Sequence, residues 1–191
     1  PHNGSDPIYM LGHILNALYA IPSRHIDPLR RSVVSVGQVH GGHAENVIPN
    51  EIFVQGTIRS MDAEVRAQLA TLVEDAFRLS ELLGGGYRFA LKAGYPSLYN
   101  NPQVNGWMHQ VAEELIGDTV NHDEPFAMGA EDFAYMTQEA KGAMFMLGAA
   151  IDDGLKRHHH TDIFDIDESV LSKGAAVLAE TAHRFVTGKL A

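Results

Sequence analysis

At 191 residues, 45% apolar and 20% charged, the chain carries enough apolar material for one large domain or two small ones, and a disordered polymer is excluded. Fourteen Lys and Arg against 24 Asp and Glu leave a net charge of −10, which argues against a nucleic-acid partner because phosphate binding needs a basic surface. There is no cysteine, so any metal site has to be built from His, Asp or Glu. The longest apolar run, at 143–151, is too short to span a bilayer, and no membrane partner is expected. The opening residues, PHNGSDPIYM, have neither the basic start nor the apolar stretch of a signal peptide. A loop-like start without Met leads us to expect a piece of a longer protein, with the cytoplasm as its expected compartment.

Asp6 is placed to cap a helix that begins at Pro7. Ile8, Leu11, Ile14, Leu15 and Leu18 recur at helical spacing, and the helix is expected to end before Pro22. The β-branched run 32–39 predicts a strand, and the alternation over 51–59 predicts a second, half-buried one. Ser60 or Asp62 can cap the next helix, whose apolar stripe runs from Val65 through Leu69, Leu72, Val73, Ala76 and Leu79 to Leu83. Three glycines at 84–86 stop it, and 87–95 alternates again as a strand.

Helix, strand, strand, helix, strand is a ferredoxin-like βαββαβ pattern short of its first strand. The Pro- and Asn-rich stretch 96–102 marks a boundary, giving expected domains 1–96 and 97–191. Beyond it we expect a helix over 103–117, a strand buried on both faces over 142–150, and an amphipathic closing helix from Glu168 to Phe185. This second half reads as a small α/β unit, too sparse in strands for a complete sheet.

Three segments carry candidate chemistry. RHHHTDIFDIDE at 157–168 places His158, His159 and His160 beside several acids, and imidazole is a good zinc ligand when its second nitrogen is held. The alternative is a solvated loop in which one histidine bonds Asp162 or Asp165. In MGAEDFAYM at 128–136, Glu131 and Asp132 suit the first turn of a helix, while Gly129 and Ala130 could line a substrate wall with closely approaching backbone. In HGGHAENVIPN at 40–50, the glycines suit a flexible connection. Alternatively, Asn46 together with Arg59 projects toward a ligand, the arginine as a carboxylate fork. Serine-hydrolase elbows, HExxH helices and phosphate loops are absent from the sequence.

Taken in order, PHNGSDPI at 1–8, GGHAENVIPNEIFVQGTIRSMDAEVR at 41–66, GAEDFAYM at 129–136 and HHTDIFDIDESVL at 159–171 resemble the M20 metallopeptidase family, and most closely its amidohydrolase subfamily of aminoacylases, hippurate hydrolases and carboxypeptidases. That resemblance implies an α+β chain: an incomplete βαββαβ lid domain over 1–96, joined to the C-terminal part of an α/β zinc-peptidase catalytic domain over 97–191. It implies His160 as a ligand for zinc, or for manganese, cobalt or nickel. Asp162 stands where the family motif usually has proline.

By the same resemblance Asn46, Arg59 and Gly129 contact substrate, and His2 is given no metal role. No catalytic residue is expected within the chain, because the general base and the other metal ligands fall outside the matched motifs. The expected function is a portion of a metal-dependent hydrolase cleaving the amide bond of N-acyl amino acids or short peptides. This portion alone is expected to be inactive and dimeric through the lid, with an N-terminal fragment as a further partner. The rival expectation is a non-catalytic dimerisation or binding module of the same fold.

Overall fold

The computed structural model describes residues 1–117 and 128–190. They form a mixed α and β structure that divides into two compact units, one of residues 1–98 with 128–132, the other of residues 99–117 with 133–190. Among the described residues no helix is long and apolar enough to cross a membrane.

In the first unit the Asp6 carboxylate accepts from the amides of Ile8 and Tyr9, starting helix α1, Pro7–Arg24. Met10, Ile14, Leu18 and Ile21 are its buried face. The helix runs past Pro22, contrary to the expected stop. A proline forfeits only its own amide bond near a helix end, the next turn resumes with the His25 amide on the Ile21 carbonyl, and Ile21 and Ile26 are buried on either side.

Strands β1, Ser32–His40, and β2, Phe53–Ser60, pair antiparallel with Val34 opposite Ile58 and Val33 opposite Arg59. A register shift between Val36 and Gln38 leaves Gly37 as an extra residue, a bulge that bends the pair. Opposite Val36, Gly56 lies so close to the neighbouring strand that a Cβ there would sit 2.3 Å from the Ser35 carbonyl oxygen.

Helix α2, Ala63–Leu82, begins where the Asp62 carboxylate accepts from the Val65 amide at 2.8 Å. It ends where the chain turns back at Gly84, in the left-handed region at φ +84°. Both helices bury their stripes against the half-buried Val34, Val36 and Ile58 of the sheet, which makes one core.

The strand expected over 87–95 does not form. Tyr87 and Phe89 are half-buried in alternation, with the Phe89 ring 6.0 Å from that of Phe77, but no backbone ladder joins them to a neighbour. A strand exists only with the partner it bonds to, and the sheet among the described residues holds β1 and β2 alone.

The second unit opens with helix α3, Pro102–Ile116, capped by Asn101, whose side-chain oxygen accepts from Gln103 and Val104. Short helix α4, Phe133–Glu139, follows. A 3-10 turn over Glu168–Val170, capped by Asp167, then leads into helix α5, Leu171–Val186, slightly offset from the single closing helix expected. Helices α3 and α5 pack together, with Met108 and Val111 buried on one and Gly174 and Val177 on the other, and the Trp107 and Phe185 rings 5.6 Å apart.

The strand expected over 142–150 is likewise not formed and not buried on both faces. Phe145, Leu147 and Ala149 are half-buried while Met146, Gly148 and Ala150 are exposed. Its backbone is held at separate points instead: the Asn100 side chain donates to the Met144 carbonyl at 2.8 Å and accepts from the Met144 amide at 2.9 Å, and the Asp167 amide donates to the Ala149 carbonyl at 2.9 Å.

Candidate functional site

The two units carry separate groups of candidate residues. In the first, strand alternation turns Ile58 toward the core and Arg59 outward. The Arg59 guanidinium donates from Nη1 to the Met128 carbonyl at 2.7 Å, so the end of β2 holds the segment that continues into Gly129, Ala130, Glu131 and Asp132. Sequence spacing gave no sign of this bond, which joins residues 69 positions apart. Gly129 is exposed, and a Cβ built on it would meet nothing within 4 Å. The wall expected of Gly129 and Ala130 is an approach to a ligand, and the backbone at Gly129 is open on this side among the described residues. Asp132 lies just before α4, as expected of an acid at a helix start, where exposed amides attract negative charge.

Asn46 sits in a turn on the exposed connection between β1 and β2. Beside it Gly42, His43 and residues 47–51 line a shallow, open cavity of about 500 Å³. At the base of this connection the His40 and Phe53 rings stack at 6.2 Å, which closes the end of the ladder. Asn46 and Arg59 thus leave the same two-stranded element, one from its connection and one from near the far end of β2, and no hydrogen bond joins them.

In the second unit the 157–168 loop is built from local turns. Arg157 bonds Asp153 at 2.6 Å, and the Asp153 carboxylate also accepts from the Leu155 amide. The arginine's hydrogen bond, then the amide, hold the Asp153 carboxyl below the usual carboxylate range. At the other end Asp167 is lowered in the same sense by its bonds from Ser169. Between these anchors the Thr161 hydroxyl donates to the His158 carbonyl and the Phe164 amide to the Thr161 carbonyl.

The His159 and His160 rings lie tilted at 6.5 Å from each other. The His159 ring stacks on Phe164 at 5.2 Å, and His160 occupies the left-handed region at φ 66°, where a side chain of its size is uncommon. No bond ties a histidine to Asp162 or Asp165 among the described residues.

A zinc site needs about three or four donors converging on one point. Among the described residues no three His, Asp or Glu side chains gather closely enough to hold a metal ion. His160 offers one exposed imidazole, and the donors present do not by themselves fit a metal.

Residues 10–184 match the peptidase family M20/M25/M40. The chain belongs to this family. Among its M20 relatives, thermostable carboxypeptidase 1 of Saccharolobus solfataricus is 34% identical over 191 residues, covering 97% of this chain and 47% of the relative. The N-acetyl-L-cysteine deacetylase of Bacillus subtilis is 33% identical over 192 residues, covering 97% and 44% respectively. The crystal structure of a protein provisionally described as an aminohydrolase, from methicillin-resistant Staphylococcus aureus, superposes with a TM-score of 0.79 at 25% identity. That superposition covers all of this chain and 48% of the other. This M20 chain spans about half the length of the curated relatives it matches. Membership links it to metal-dependent hydrolases and peptidases.

Proposed function

We propose that the chain is a portion of an M20 metal-dependent amidohydrolase that cleaves the amide bond of N-acyl amino acids or short peptides. In this reading residues 1–96 act as the lid and dimerisation domain and residues 97–191 as the C-terminal part of the catalytic domain. The observation that carries it is Arg59, an exposed guanidinium at the end of β2 held against the backbone beside Gly129. A guanidinium so placed can exchange a neutral carbonyl for a carboxylate, to which it donates two parallel and stronger bonds. Amino acids and peptides present such a carboxylate, and the relatives named carboxypeptidase and N-acetyl-L-cysteine deacetylase are in keeping with substrates of that kind.

Asn46 is assigned the substrate carbonyl and Gly129 the pocket wall. His160 is assigned one coordination position on zinc, or on manganese, cobalt or nickel, the remaining donors and the general base being supplied from outside these 191 residues. The chain alone is therefore inactive.

The test is hydrolysis of N-acetyl and N-benzoyl amino acids by the pure chain with added zinc or manganese, alone and with the polypeptide corresponding to the half of the relatives it does not span. No turnover from the chain alone, turnover on mixing, and a KM raised roughly tenfold or more by Arg59→Lys, the loss of a bidentate charge-assisted bond, are expected. Turnover by the pure 20.9 kDa chain with stoichiometric metal would overturn the assignment of the missing donors. Binding of N-acyl amino acids with no turnover in any mixture would favour a non-catalytic binding module.

A further inference from the structure

Asparagine is joined directly to glycine at Asn3–Gly4 and at Asn105–Gly106, and aspartate to glycine at Asp153–Gly154. In such a pair the glycine's backbone nitrogen can attack the side-chain carbonyl carbon of the residue before it, because glycine has no Cβ to crowd the approach. The reaction needs an unengaged side chain, a backbone nitrogen that can lose its proton, and a backbone free to close a five-membered ring.

The fold treats these pairs differently. Gly106 lies inside helix α3, so its amide is committed to the helical ladder, and the Asn105 side-chain oxygen accepts from the Asn100 side-chain amide at 3.2 Å. The Asp153 carboxylate accepts from the Leu155 amide at 3.0 Å and from Arg157 at 2.6 Å, which holds it as an anion, a poor target for a nucleophile. Both pairs are therefore kept from ring closure.

Asn3 and Gly4 differ on every count. Both are exposed in a turn ahead of α1, and the Asn3 side chain makes no hydrogen bond among the described residues. The Gly4 amide donates to the Pro1 carbonyl at 3.3 Å, longer than a strong N–H···O contact. A Cβ built on Gly4 would meet nothing within 4 Å, so no neighbour resists bending of the backbone there.

We propose that Asn3–Gly4 is a site of spontaneous deamidation, selected over Asn105–Gly106 by the fold. The Gly4 nitrogen gives its proton to solvent base and bonds to Asn3 Cγ; the bond from Cγ to the side-chain nitrogen breaks, and that nitrogen leaves as ammonia. The succinimide so formed takes up water at either ring carbonyl and opens to aspartate or isoaspartate, with nothing oxidised or reduced. The product carries an added negative charge ahead of the Asp6 cap of α1, and isoaspartate also routes the main chain through an extra methylene. The inference is independent of the hydrolase reading, since it uses no metal, substrate or partner.

The experiment is incubation of the 191-residue chain in mildly alkaline buffer, followed by peptide mass spectrometry. A mass gain of about 1 Da, an amide replaced by a carboxyl group, should accumulate at Asn3 roughly tenfold or more faster than at Asn105, whose reaction waits on local opening of α3. Both isomeric products should appear, which direct hydrolysis of the side-chain amide would not give. Gly4→Ala, which its open surroundings and its φ outside the left-handed region accept, should slow the reaction roughly tenfold or more by crowding the attacking nitrogen. In guanidinium chloride strong enough to unfold α3, Asn3 and Asn105 should react at similar rates.

An Asn3 that gains no mass, or gains it no faster than Asn105 in the folded chain, would overturn the proposal. So would aspartate as the sole product or an unchanged rate in Gly4→Ala, because either takes the Gly4 nitrogen out of the reaction. A preference for Asn3 that persists undiminished in denaturant would also overturn it, by making neighbouring sequence rather than the fold the selector.

Discussion

Arg184 is 18% exposed and donates to two carboxylates, Glu180 on its own helix at 2.8 Å and Glu114 on α3. Its hydrogen bonds are the leading cause that lowers the pKa of both acids below their ordinary value. A carboxylate with a depressed folded pKa stabilises the fold above its unfolded pKa and loses that contribution as pH falls through the folded value. The contact between α3 and α5 should therefore weaken on acidification below about pH 4, where free glutamate titrates. Trp107, the sole tryptophan, lies against Phe185 and reports on that contact. Its fluorescence should shift in acid, with a shallower pH dependence in Arg184→Gln, and an unchanged profile in the variant would remove Arg184 as the cause.

At this scale the sequence was informative about residue types and silent about most pairings. The caps at Asp6 and Asn101 involve near neighbours, and the one at Asp6 was readable. The bond from Arg59 to the Met128 carbonyl depends on how the chain returns after 69 residues, and no local rule carries that. The left-handed conformation of His160 was equally hidden, because the turn that imposes it is made by Thr161 and Phe164.

Among the elements, the helices were legible because each has a stripe of its own. Val65, Leu69, Val73 and Ala76 recur at helical spacing between a capping Asp62 and a glycine stop, and every hydrogen bond inside α2 is local. Strands differ in kind. Residues 32–40 and 53–60 lie close enough in sequence to pair with each other, whereas 87–95 and 142–150 carry strand-like alternation and are not strands among the described residues.

Pairing also imposes local demands that alternation does not reveal, and Gly56 is the sharpest. A methyl there would collide with the Ser35 carbonyl oxygen, a backbone atom that no rotamer change can remove. Gly56→Ala should lower unfolding stability by about 2 to 3 kcal/mol, read as a reduced urea midpoint, because the two strands must separate to accept it. A loss below about 0.5 kcal/mol, the usual range for innocuous surface changes, would mean that the hairpin widens freely.

On the scale of the whole chain, its two units each satisfy part of their own demands, and the balance shows in exposed apolar residues such as Met146, Leu178 and Phe185. Asn100 bears on how that balance is met. By donating to and accepting from the same residue, Met144, it fixes the start of the 143–148 run, while the Asp167 amide fixes its end. Ordering a peptide costs about 1 kcal/mol or more per residue in lost conformational freedom. At Met144 that cost is met by two bonds from a single side chain.

Asn100→Ala, which leaves the 143–148 run itself unchanged, should accordingly free the start of that run, detectable as at least tenfold faster amide exchange at Met144, and an unchanged rate would remove Asn100 as its anchor. One side chain would thus decide, by holding a single residue at both of its backbone groups, where a run of apolar chain begins to be still.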